Sequence, residues 1–320
     1  QLIGKFHMYP QRKRYGFDNV ILSETMDVRP DSPWFGVNDY WEWLQDQGQS
    51  REALANAHGI GSNAWTARPW QREENLHQTS WLVEEAFDFI RRWRDPSCPW
   101  FLHLSFWAPH PPLVPPQHYW DRYITRTDWQ PHLAEWAPTA PPRGKVGVRT
   151  DSPTGPFNQE WMQQAMAGYY GLINHIDDRV QHLVKQTTER ATPRAGKPLV
   201  IIYASDHGEM LGDHHLYRKT LPYEGSAHVP FFVHTRNHDG LVSQPSDALV
   251  GLEDIMPTVC DLAGAEIPDG VDGRSLLPVL RGQADSVRDA FFGEHSGVHA
   301  NHYVVQGRLK YCWYARTNEE

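Results

Sequence analysis

The sequence predicts an α/β fold on a mostly parallel central sheet, followed by the start of a small antiparallel subdomain. Three observations predict it. Short apolar runs and amphipathic helical stretches alternate in the order strand, helix, strand, helix, strand. The run at residues 199–204, Leu-Val-Ile-Ile-Tyr-Ala, is β-branched in the middle and too short for a free-standing helix, so it reads as a buried strand. Beyond residue 288 the pattern changes to short strands at 290–293 and 301–314. A core over residues 1–287 and an appendage over 288–320 are therefore expected.

Composition narrows the function classes. A chain of 320 residues is long enough to bury a sizeable core. Its 39 acidic against 30 basic residues, net charge −9, argue against a nucleic-acid partner held by a general basic surface. No apolar run is long enough to span a bilayer. Cys98, Cys260 and Cys312 are too few and too scattered for a disulfide framework or a zinc cluster. The chain opens without Met or a signal segment and ends just after a strand-like stretch, so both ends read as cut. Compartment and oligomeric state are not legible from it.

The elements follow in order. Residues 1–7 read as a strand that ends in Gly4-Lys5-Phe6-His7. Lys5 and His7, two apart, point to one side of it, although these residues by themselves favour a plain edge strand with a solvated Lys. Residues 16–23 form the next strand. Residues 27–78 show little periodicity except at 39–47, where Tyr40, Trp41 and Leu44 recur at helical spacing. Trp34, Trp41, Trp43, Trp65 and Trp70 fall in this stretch, either to pin it to the core or to stack on a sugar ring. Residues 79–94 form a helix with Leu82, Ala86, Phe89 and Trp93 in one stripe. Early Glu84 and Glu85 and late Arg91, Arg92 and Arg94 complement its dipole, and Asp95-Pro96 stops it. A strand at 100–106 runs into Ala108-Pro109-His110-Pro111-Pro112, a proline-fixed loop that gives His110 little freedom. Residues 118–157 read as an excursion or lid, 159–185 as a second long helix, and 191–197 as a loop. Residues 253–263 form a helix that Gly264 ends in the left-handed cap position.

The richest stretch is 199–234. Its strand stops at Ser205, and Asp206-His207-Gly208-Glu209 follows at once. Ligands of open parallel sheets sit beyond the carboxyl ends of the strands, so this carboxylate and imidazole are placed to hold a cation. A polar loop whose Asp caps a helix is the plain alternative. Arg218-Lys219, Tyr223-Glu224-Gly225 and a second strand at 229–233 come next.

Four separated segments now fall in a single order: Gly4-Lys5-Phe6-His7, Ser105-Phe106-Trp107-Ala108-Pro109-His110-Pro111-Pro112, the helical run 169–177, and 205–230. Together they resemble the sulfatases of the alkaline phosphatase superfamily, of the formylglycine-dependent arylsulfatase type. The resemblance implies an alkaline-phosphatase-like three-layer sandwich and hydrolysis of sulfate monoesters. By position, Asp206 and His207 match the second pair of ligands for a divalent cation, usually calcium. Imidazole suits manganese or zinc better, so the ion stays open. Lys5 and His7 match the Lys and His that flank the nucleophile, while His110 and Lys219 match the pair that holds the sulfate and assists the leaving oxygen. The implied substrate is a small-molecule sulfate ester, and the Trp-rich loops permit a sulfated sugar. No Cys here has the family's Cys-x-Pro-Ser-Arg context, and the first acidic ligand pair is missing. Both the formylglycine and those ligands are expected upstream of residue 1. Two rivals stand beside this reading: a phosphonate monoester or phosphodiester hydrolase of the same superfamily, and a non-catalytic fragment that only binds anions.

Overall fold

The structure is a computed structural model. It describes all residues except 25–37, 51–59, 62, 138–150, 156–158, 190–197, 239, 298–299 and 319–320. Trp34, the middle of the expected lid and the expected loop at 191–197 lie outside the described residues. The chain divides into two compact units, Gln1–Pro193 with His214–Leu216, and Arg194–Asp213 with Tyr217–Glu320.

The first unit contains β1 (Leu2–Gly4), β2 (Val20–Leu22), α1 (Asp39–Asp46), α2 (Gln78–Asp88), β3 (His103–Ser105), α3 (Gln117–Asp121) and α4 (Gln159–Glu189). The strands lie in the order β2-β1-β3 with both pairings parallel. A central parallel strand has no face left for water, and Leu2 and Ile3 of β1 are fully buried. Tyr40, Trp41 and Leu44 of α1 join Trp81, Leu82 and Ala86 of α2 in the same core. Trp41, Trp65 and Trp70 are no more than 5% exposed, so they pin their segments rather than display a stacking surface. The helical pattern expected to run to residue 94 changes register first: Phe89–Trp93 is a π-helical turn, and Arg94 is already extended. On α4, His175 is fully buried with Nε2 3.1 Å from the Ser80 hydroxyl. Burial, aided by His77, Arg179 and His118, pushes it down to about 2, so it is a neutral core residue joining α4 to α2.

The second unit contains β4 (Leu199–Ala204), α5 (Glu224–Ala227), β5 (Phe231–Arg236), α6 (Ile255–Ala263), α7 (Leu277–Leu280), β6 (Phe291–His295), β7 (Asn301–Gln306) and β8 (Leu309–Tyr314). The expected buried strand at 199–204 forms, but it is half-buried and pairs antiparallel with β5, from Leu199 opposite Arg236 to Ala204 opposite Phe231. The connection 205–230 has no long crossover helix, and a parallel return needs one. The second strand starts later than 229 because Pro230 has no N–H for the ladder. Gly264 ends α6 with φ 68°, the left-handed cap its position suggested. Strands β6, β7 and β8 make an antiparallel sheet in sequence order.

One ion pair anchors this unit. Asp254 is fully buried and accepts from the N–H groups of Gly251 and Arg274, each at 2.8 Å. Arg288 grips it through both guanidinium nitrogens at 2.5 Å. Burial pushes this carboxyl up, but the Arg288 bonds and the two backbone donors outweigh it and hold it below the usual carboxylate range. Its stabilisation is therefore present above the unfolded value of about 4 and is lost as pH falls through the lower folded value. Asp254→Asn is expected to cost about 3–5 kcal/mol in urea unfolding at neutral pH, because Arg288 is left buried without its partner charge. The gap between variant and parent should close as the medium is acidified below about pH 4.

Candidate active site

Three parallel strands end at one edge of their sheet, and each delivers functional residues there. β1 is followed by Lys5, Phe6 and His7, β2 by Ser23 and Glu24, and β3 by Phe106, Trp107 and the loop to His110. Gly4 has φ 111°, and a Cβ on it would lie 1.8 Å from the Ser105 carbonyl oxygen. Only glycine permits this approach, which lets the Lys5 N–H reach that carbonyl at 3.2 Å. Two residues on, His7 is left-handed at φ 55°. Glu24 holds it there. This carboxylate is 1% exposed and accepts from the Phe6 N–H at 3.0 Å, the His7 N–H at 3.0 Å and the His7 Nδ1 at 3.0 Å.

Trp107 joins the other strand end to this one. Its indole donates to the Pro111 carbonyl at 2.9 Å. The Lys5 ammonium lies 5.8 Å from its ring centroid, the His7 ring 5.9 Å and the His110 ring 4.8 Å. Lys5 and His7, and His110 about a hundred residues later, thus all lie within about 6 Å of the centroid of one indole ring.

Asp206, His207 and Lys219 belong to the second unit. Asp206 follows the end of β4 with its side chain largely exposed, and His207 Nε2 lies 3.8 Å from Asp206 Oδ1. The Gly208 carbonyl can only accept, so its 2.8 Å bond to His207 Nδ1 puts the proton on Nδ1 and the lone pair of the neutral ring on Nε2. A carboxylate oxygen and an imidazole lone pair at this separation suit two neighbouring positions around a divalent cation. Among the described residues no group of three or more His, Cys, Asp and Glu is arranged to hold a metal. Gly208 is the second position that demands glycine, since a Cβ would lie 2.1 Å from the Gly225 carbonyl oxygen. Glu209 turns inward: burial pushes its carboxyl up, while the N–H groups of Arg218 and Leu211 and the charges of Lys219 and Arg218 pull it back. Lys219 sits between Arg218 at φ 71° and Thr220 at φ 82°.

The three candidate histidines share one device. His7, His110 and His207 each engage Nδ1 with an oxygen that accepts: Glu24, the Pro111 carbonyl at 2.8 Å, and the Gly208 carbonyl. Each therefore offers Nε2 for chemistry. Glu24 and the platform role of Trp107 escaped the sequence reading. For Glu24 a signal was present, since it follows the apolar run of β2 as Asp206 follows that of β4. Glu24→Ala is expected to destabilise the protein by about 2–4 kcal/mol in urea titration, because two backbone donors and a left-handed residue lose their partner. The downfield His7 Nδ1 proton resonance should vanish with it.

Residues 1–265 match the family model described as Sulfatase. An arylsulfatase of Clostridium perfringens is 37% identical over 330 residues, covering 100% of this chain and 67% of that protein. A choline-sulfatase of Rhizobium meliloti is 27% identical over 292 residues, covering 88% of this chain and 54% of that protein. Among solved structures, the phosphonate monoester hydrolase of Agrobacterium radiobacter superposes with a TM-score of 0.73 at 22% identity, over 98% of this chain and 69% of its own. The chain spans from about half to two thirds of the length of these two sulfatases. The structural likeness confirms the α/β, alkaline-phosphatase-like fold expected from the sequence. On the family match and the 37% identity, the chain belongs to the sulfatase family.

Proposed function

We propose that the full-length protein hydrolyses sulfate monoesters, aryl sulfates among them, with Lys5, His7, His110, Lys219, Asp206 and His207 as this chain's share of the machinery. The family in general implies a divalent metal and a formylglycine nucleophile. The gathering of Lys5, His7 and His110 around Trp107 is the observation that carries the proposal.

A sulfate monoester is an anion whose transition state loads charge onto the nonbridging and leaving oxygens. Lys219 and Lys5 bring the ammonium groups that this reading assigns to that charge. His110, its Nδ1 committed to the Pro111 carbonyl, delivers a proton from Nε2 to the departing oxygen. His7, oriented through Glu24, holds the proton of the attacking hydroxyl at Nε2. Asp206 and His207 would hold a divalent cation, which when bound would supply further positive charge for the reaction. Calcium is our assignment for it from the carboxylate oxygen, with manganese or zinc favoured by the imidazole. A sulfated sugar belongs to the same substrate class, but the buried Trp41, Trp65 and Trp70 do not support stacking on one.

Full-length protein should turn over an aryl sulfate faster than the matching aryl phosphonate. A preference of more than about tenfold for the phosphonate would reverse the assignment. His110→Ala should lower kcat by about 10²–10⁴ on a phenyl sulfate and by less on a nitrophenyl sulfate, whose leaving group needs no proton. Chelation should abolish turnover, and restoring calcium, manganese and zinc in separate samples identifies the working ion.

A further inference from the structure

Lys219 is flanked by two non-glycine residues in the left-handed region, Arg218 and Thr220. Such residues persist only where the surroundings impose the conformation. Before Lys219 the constraint is local: the Arg218 N–H donates to Glu209, and the Arg218 carbonyl accepts from the Met210 N–H at 2.9 Å. After Lys219 the constraint comes from far along the chain. The Asn301 side-chain amide donates to the Thr220 carbonyl at 2.9 Å across 81 residues. The Lys310 ammonium donates to the Pro222 carbonyl at 2.9 Å across 88 residues and also pairs with Glu224. The Tyr314 hydroxyl donates to the Tyr223 hydroxyl at 3.1 Å across 91 residues.

These three groups are not scattered. Asn301 and Tyr314 are directly opposite in the β7–β8 register, as are Val305 and Lys310. Strand alternation therefore puts Asn301, Lys310 and Tyr314 on one face of the C-terminal sheet. That face meets the loop backbone at Thr220, Pro222 and Tyr223. Asn301 is 1% exposed, so the donor end of its bond to Thr220 is buried. The family match stops at residue 265, before this sheet begins.

We infer that the sheet β6–β8 is the positioning platform for Lys219, and that Asn301 is the positioning residue that sets its backbone. This rests on the reading of Lys219 as a sulfate-holding residue. Asn301 touches no substrate and acts through the Thr220 carbonyl.

The test uses full-length protein carrying Asn301→Leu, Lys219→Met and both together. Hydrogen exchange reads the clamp directly: the amides of residues 218–221 and 223 should exchange faster in Asn301→Leu, and those of β4 should not. Turnover of nitrophenyl sulfate, with inorganic sulfate as competitor, reads the function. Asn301→Leu should lower kcat/KM by at least about tenfold and weaken sulfate inhibition, yet add little when Lys219 is already Met. Unchanged exchange in the loop overturns the inference. So does an equal loss of kcat/KM in both backgrounds, which marks a general structural defect. If Lys219→Met alone leaves kcat/KM unchanged while exchange still rises, the reading of Lys219 itself fails, and the platform's catalytic role with it.

Discussion

Gly4 lies against the Ser105 carbonyl more closely than any side chain would allow. The cluster at the strand ends of the first unit depends on that approach. It keeps β1 in register between β2 and β3, so that three parallel strands release their chains at the same edge. The edge then receives Lys5 and His7 from one strand, Glu24 from the second, and Trp107 and His110 from the third. A left-handed His7 costs about 1–2 kcal/mol. Hydrogen bonds to a charged acceptor contribute about 1.5–3 kcal/mol each, so the three that Glu24 receives offset this strain.

The second unit solves a similar problem with similar means. Gly208 touches the Gly225 carbonyl, which brings the chain after His207 against the turn at Ser226, and the Gly208 N–H reaches the Ser226 carbonyl at 2.8 Å. The imidazole of His207 is oriented by a carbonyl, as that of His110 is. Backbone acceptors suit this task because they carry no titratable proton. They fix the proton on Nδ1 of the neutral ring, whereas Glu24 does the same for His7 with a side-chain carboxylate.

The proposed site residues lie at or beside backbone positions that local preference disfavours. His7, Arg218 and Thr220 all adopt positive φ without being glycine. Each is bonded to a buried or half-buried partner distant in sequence or in the turn: Glu24, Glu209 and Asn301. Strain at such positions is tolerable because the surroundings over-determine it, and the benefit is a side chain held in a narrow range of positions.

How much of this was legible without coordinates divides along a physical line. The sequence alone determined the elements that local forces dictate. Helical periodicity placed α1, α2 and α4, the glycine cap placed the end of α6, and short alternating stretches placed β7 and β8. Lys5, His7, His110, Asp206, His207 and Lys219 were singled out by the resemblance of four ordered segments to the sulfatases, while strand ends and a proline-fixed loop marked only where some of them sit. Tertiary structure alone decided the rest. It paired β4 antiparallel with β5, slipped the end of α2 into a π turn, buried Trp41, Trp65 and Trp70, and set Glu24 under His7 and Asn301 beside Thr220. Hydrophobic period and cap chemistry act between neighbours a few residues apart, so a single sequence displays them. A hydrogen bond across 81 residues leaves no local pattern, since it exists only after packing has brought its two ends together.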